Sequence, residues 1–226
     1  MELIHTLLFL LRENSLQADV AKAEKCLKSL EKSSYKKVIV YNQGFWSNER
    51  LQSYLQSFQL ECVIIGNGAN VGIVAGRQSC FEYIWAHVQN IAFISELHLD
   101  MIFTSHWENP LVDYLSAHDE PMVCCGIVSR TGQMPGLNIS VQPPPGDLTL
   151  LEEYLNRLKR DEIAKGITHP CIHKLDILKA VGGYDRRFMI GKQAFEDDSL
   201  FDQLSLLLRN EGELVAKNKL PVHGLS

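Results

Sequence analysis

The sequence predicts an α/β fold: a mostly parallel sheet covered by helices on both faces. Short apolar or β-branched runs alternate with longer amphipathic stretches through the first half of the chain, the pattern of repeated strand–helix units. Several of the strand runs, such as Lys37-Val38-Ile39-Val40-Tyr41, carry no polar alternation, as expected of strands buried on both sides. Segments rich in Asn and Gly follow two of them, at Asn42-Gln43-Gly44 and Gly66-Asn67-Gly68, where a chain leaves a strand to enter a helix.

In order, residues 3–11 form a first strand and residues 18–32 an amphipathic helix with Val20, Ala23, Leu27 and Leu30 on one stripe. Residues 37–41 are a second strand, and residues 48–58 a helix with Leu51, Tyr54, Leu55 and Phe58 inward. A strand at 61–65, a glycine-rich loop at 66–72, a helix at 74–87 and a strand at 91–97 complete this half. The second half reads as a helix at 107–115, a strand at 122–128 and an irregular Pro- and Gly-rich loop at 131–146. A helix at 148–163 follows Asp147 as N-cap. Then come a strand at 168–174, a short helix at 176–181 stopped by Gly182-Gly183, and a helix at 198–209. No repeat or low-complexity linker divides the 226 residues, so one domain with two lobes is expected.

Composition narrows the function. A net charge of −5 argues against a nucleic-acid surface. Six cysteines without a C-x-x-C pair point to a reducing cytoplasm rather than a disulfide or zinc framework. The apolar start lacks a basic leader and reads as a strand, and no stretch reaches the ~20 apolar residues of a membrane span.

The strand at 91–97 runs into His98-Leu99-Asp100-Met101. Ligands of α/β proteins bind beyond the carboxyl ends of strands, and residues two apart in an extended segment face one side. His98 and Asp100 thus make either half of a metal site or a solvated strand end. The glycine loop misses the dinucleotide fingerprint at Val71; it either brings backbone amides to a phosphate or simply connects. Glu196-Asp197-Asp198 opens an apolar-striped helix. Acids there cap the helix, or one of them accepts a proton from a substrate hydroxyl. Pro170 disfavours a helical metal pair of His169 and His173, which read as strand or loop histidines. Gly-x-Ser-x-Gly is absent and no cysteine stands out as a nucleophile.

Taken together, these pieces resemble the family 2 glycosyltransferases of the GT-A fold. Asn70-Val71-Gly72 through Gly76-Arg77-Gln78 is similar to the family's N-x-G...A-R-N segment, with Gln78 in place of asparagine. The strand ending at His98-Leu99-Asp100, followed by Trp107, resembles the D-x-D strand and the tryptophan-containing helix after it, with His98 at the first aspartate. Gly182-Gly183-Tyr184-Asp185-Arg186-Arg187-Phe188 with Glu196-Asp197-Asp198 is similar to the G-G-F-D-x-x-F...E-D-x-D-L block, the most specific part of the match. Tyr41-Asn42 stands where Asp-Asn is common, and His223 resembles a late histidine of the metal site.

The resemblance implies a Rossmann-type sheet with a nucleotide-binding half at about residues 1–100 and an acceptor-side half at about 101–226. It implies inverting transfer from a UDP- or dTDP-sugar to a glycan or other hydroxyl acceptor, in polysaccharide or glycoconjugate biosynthesis. Asp197 is then the general base, with Glu196 orienting the loop or binding an acceptor hydroxyl. Asp100 and His223 would hold Mn²⁺ or Mg²⁺, and Asn42, Asn70, Gly72, Arg77 and His98 would contact the donor. The alternative is a GT-A-shaped nucleotide-sugar or glycan binding domain without turnover, to which His98 and Tyr41 point. A nucleotidyltransferase would carry a Gly- and Lys-rich loop after the first strand, and Arg12-Glu13-Asn14 is not one.

Overall fold

The computed structural model describes residues 2–134, 139–142, 148–158, 169–187, 199–200, 202–204 and 222–225, the last four as backbone. β1 (Glu2–Phe9), α1 (Leu16–Leu30), β2 (Lys37–Asn42), α2 (Asn48–Leu55), β3 (Glu61–Ile65), α3 (Ile73–His87) and β4 (Ile91–Leu97) alternate. They are followed by α4 (Asn109–Ala117), β5 (Met122–Gly126), β6 (Gln133–Met134), β7 (Ile139–Ser140) and α5 (Leu148–Leu158). β8 (Cys171–Lys174), α6 (Leu175–Val181) and β9 (Val222–Leu225) come last.

Seven strands form one sheet in the order β3-β2-β1-β4-β8-β5-β9. β8 runs antiparallel to both its neighbours; every other pair is parallel. The period of two along each strand sends side chains into two separate cores. Leu3, Leu7 and Phe9 of β1 and Phe93 and Leu97 of β4 meet Leu27, Leu51 and Leu111 from α1, α2 and α4. Ile4 and Ile94 point the other way, to Phe81 and Ile84 of α3 and Leu178 of α6. The sheet is therefore covered on both faces, as the apolar strands require.

Three expectations are adjusted. The segment 131–146 contains the antiparallel β6–β7 pair. The tail is a strand, β9, paired parallel with β5; four residues flanked by Pro221 and holding Gly224 carry too little pattern to announce one. The helix expected from Trp107 starts at Asn109, because the buried Glu108 carboxylate accepts hydrogen bonds from Ser33 Oγ at 2.9 Å and from the Ser34 amide, which holds this stretch in turns. Of the helix expected at 198–209, residues 199–200 and 202–204 are helical, and Leu200 and Leu204 join the second core. The remainder lies outside the described residues, as do Asp147 and the end of the 148–163 helix.

One junction couples the two halves of the chain. Gln78 on α3 accepts the Tyr184 amide at 2.8 Å and donates to the Gly182 carbonyl at 3.0 Å. The glycine pair that ends α6 is thus pinned to α3. Gly182 and Gly183 both have left-handed backbone, with φ of 82° and 71°. A Cβ on Gly182 meets nothing, whereas one on Gly183 would collide with Gln78 Oε1 and press on Phe81. Gly182→Ala is expected to cost the left-handed strain alone, about 1–2 kcal/mol. Gly183→Ala should cost a further ~1–3 kcal/mol of overpacking. Urea midpoints test this; equal losses would show that Gln78 yields freely.

Candidate functional site

A cleft of about 220 Å³ opens where β1, β2 and β4 end. Its apolar floor is Leu8, Leu10, Ile73 and Leu97, and its polar wall includes Arg12, Asp19, Lys22, Gln43, Arg77, His98 and Asp100. The parallel register of β1 with β2 and β4 brings these ends together. α3 begins at the cleft, at Ile73, with no acidic residue in its first turn and no side-chain cap, so its positive end is uncompensated there.

The charges on this wall differ in kind. Asp19 is held well below the usual carboxylate range by the Arg12 guanidinium, which donates to it at 2.8 and 2.9 Å and outweighs its burial. Asp19 is therefore committed to Arg12. Asp100 is exposed and carries none of the hydrogen bonds that bind Asp19 into its loop. It is the carboxylate the cleft presents.

His98 sits deeper. Arg77 Nη2 donates to its Nε2 at 2.6 Å, which leaves the ring proton on Nδ1. Burial first, then His169 and Arg77, push the His98 pKa down to about 3. His98 is a neutral acceptor for Arg77, and the nitrogen nearest that guanidinium is already used.

Arg77 is itself buried. Its Nε lies 3.3 Å from Glu96 Oε2, and Nη1 donates to Tyr184 Oη at 3.3 Å. Glu96 follows the parity of Ile94 and so faces the second core. There Tyr184 Oη donates to it at 3.0 Å and His173 Nε2 approaches Oε1 at 2.7 Å. Burial would raise the Glu96 pKa, but Arg77, His169 and His173 hold it well below the usual value. Burial would likewise lower His173, but Cys171 and Glu96 push it up to about 10.

Other expected residues lie apart from the cleft lining. Asn42 donates to the Trp46 carbonyl at 3.0 Å and to Asn48 Oδ1 at 2.8 Å, and it accepts the Gly44 amide. Its side chain organises the loop after β2, and Gln43 lines the cleft instead. Asn70 accepts the Gly72 amide at 3.0 Å, and Gly72 at φ 85° leads into α3. Both shape the entry to that helix. His223 lies on β9, with its side chain outside the described residues, as are Glu196 and Asp197.

The residues the sequence reading missed are Glu96, Cys171 and His173. The available signal was a glutamate inside an apolar strand at a core-facing position, which must be paired, and two ligand-type residues at i,i+2 of one strand. His173 was read against His169 across Pro170 instead.

No family model and no curated protein sequence matches the chain. Solved structures do. The chain superimposes in full on S. aureus TarS 1-349 with a TM-score of 0.58 and 12 % identity. For TarS 1-349 in complex with UDP-GlcNAc the values are 0.60 and 10 %, and for its complex with UDP, 0.60 and 11 %. The chain spans 58 % of TarS 1-349 and 56 % of its UDP-GlcNAc complex. The fold is GT-A-like α/β, and it matches structures of TarS that hold UDP-GlcNAc or UDP. Among the described residues no helix is long and apolar enough to cross a membrane.

His5, under the other sheet face, is also neutral: burial above all pushes its pKa down to about 3. An unfolded histidine takes its proton near about 6.5, so between these values the unfolded chain binds more protons. The contribution of His5 and His98 to stability is then full above about pH 6.5 and is lost as pH falls toward 3. His173 runs oppositely, full below about 6.5 and lost as pH rises toward about 10. His5→Gln is expected to flatten the acid-side decline of the urea midpoint. A decline parallel to the parent's would show that His5 protonates normally in the fold.

Proposed function

We propose that the chain is an inverting glycosyltransferase domain whose donor, a UDP- or dTDP-sugar, occupies the cleft at the ends of β1, β2 and β4. The observation that carries this reading is the cleft itself. It joins the open end of α3, the part-buried Arg77–His98 pair and exposed Asp100, in a fold that in TarS is seen with UDP-GlcNAc and UDP. Residues 1–100 form the donor half and 101–226 the acceptor half of one domain.

A single exposed carboxylate at a strand end suits a hard cation that takes its other ligands from phosphates and water. Asp100 would hold Mn²⁺ or Mg²⁺, with His223 as the second protein ligand. A cation bound there would supply charge neutralisation for the departing diphosphate. His98 serves in the donor site as a neutral partner of Arg77. Asn42, Asn70 and Gly72 set the loops that face the nucleotide, while Arg77 anchors the wall.

In the reaction the acceptor oxygen attacks the anomeric carbon as the bond to the diphosphate breaks. The hydroxyl proton passes to Asp197, and Glu196 orients the acceptor loop. A second reading, a binding domain without turnover, is favoured by one observation: His98 replaces a carboxylate in the pair with Asp100, and its Nε2 is taken by Arg77.

Two measurements separate these readings. Asp100→Ala is expected to abolish the Mn²⁺-dependent part of UDP-induced thermal stabilisation; stabilisation equal to the parent's would remove the metal assignment. Asp197→Asn is expected to lower transfer by ~10²–10⁴-fold with donor affinity kept, and Glu196→Gln to lower it less. If Glu196→Gln is the inactive variant, the two roles are exchanged. A parent that binds UDP yet neither transfers nor hydrolyses the donor would establish the binding domain.

A further inference from the structure

We propose that Glu96, Cys171 and His173 form a zinc site inside the sheet, separate from the divalent-ion position at Asp100. The backbone ladder places its donors. Cys171 and His173, two apart on β8, share one face, and Cys171 is the register partner of Glu96 on β4. His173 Nε2 lies 2.7 Å from Glu96 Oε1, Cys171 Sγ lies 3.2 Å from His173 Nε2, and Cys171 Sγ lies 3.7 Å from Glu96 Oε1. All three residues are buried.

Zinc ligands lie about 2.0–2.3 Å from the ion, so tetrahedral donors stand roughly 3.3–3.8 Å from one another. The triangle needs to open by only about half an ångström to take the ion. Its composition selects the metal. Sulfur with imidazole and one carboxylate suits zinc, whereas Mg²⁺ and Ca²⁺ take oxygen shells. A second thiol, Cys124 on β5, is the register partner of Cys171 on its other side and hydrogen-bonds to it. The sulfur side is therefore doubled.

The remaining carboxylate oxygen, Glu96 Oε2, is fixed by Arg77 at 3.3 Å and by Tyr184 Oη at 3.0 Å, the outer support that orients a metal-binding carboxylate. The inference stands on this geometry and does not depend on the transferase reading.

A buried site fills as the chain folds. The test is refolding from urea, under a reductant that carries no thiol, in the presence of Zn²⁺ or Co²⁺. The parent chain is expected to retain about one ion per chain after desalting, because one triad is one site, and its Co²⁺ form to show a thiolate-to-metal charge-transfer band. Asp100→Ala should keep both, and the near-isosteric Cys171→Ser should lose both. Folded parent without retained zinc, a Co²⁺ form lacking the thiolate band, or retention unchanged in Cys171→Ser would each overturn the proposal. The parent measurement decides even if the variant fails to fold.

Discussion

A carboxylate in the middle of an apolar sheet face costs several kcal/mol unless its charge and lone pairs are met. Glu96 is such a group, and its neighbours come from three directions: Arg77 from α3, Tyr184 from the segment after α6, and Cys171 and His173 from β8. Meeting Glu96 therefore fixes α3, the glycine pair and β8 against β4 in one step. The same Arg77 then reaches outward to His98 and sets its tautomer. The polar wall of the cleft is in this sense an extension of the core. A displaced guanidinium would leave both a buried negative charge and an unpaired imidazole.

Most of the frame was legible in the sequence because it follows from periodicity. The strands at Val38–Val40 and Ile91–Ile94 and the stripes of α1 and α2 bury as their spacing dictates. The cleft was legible too: His98 and Asp100 line it as strand-end logic expects, and Arg77, named through the family resemblance, lines it from α3. What periodicity does not carry is pairing across long sequence separations. Glu96 and His173 are 77 residues apart, and Glu108 reaches Ser33 across 75, so nothing local reveals what these buried acids pair with. Asn42 shows the converse. A polar residue at a strand end suggests a ligand contact, yet a tight loop uses its amide and carbonyl internally.

The identity of residue 98 changes what the cleft offers. An aspartate beside Arg77 would form a buried ion pair and still present a second oxygen. A histidine that accepts from Arg77 presents an N–H and no charge. The wall around Asp100 is correspondingly less negative.

The single reversed strand has a consequence for how such chains diversify. β5 runs with the parallel strands and so ends at the cleft side; β8 runs against them and so begins there. The Cys125 amide meets the Pro170 carbonyl at 3.3 Å, closing the gap between the two. The β6–β7 pair and α5 lie between them, in a segment that leaves and re-enters the sheet at two adjacent strand ends and is tied back through Glu152 to Lys32 and Ser105. Such a segment can be lengthened, shortened or exchanged without changing the order or register of any strand. Recognition of new partners at the rim of the cleft can then evolve at little cost to the fold that carries it.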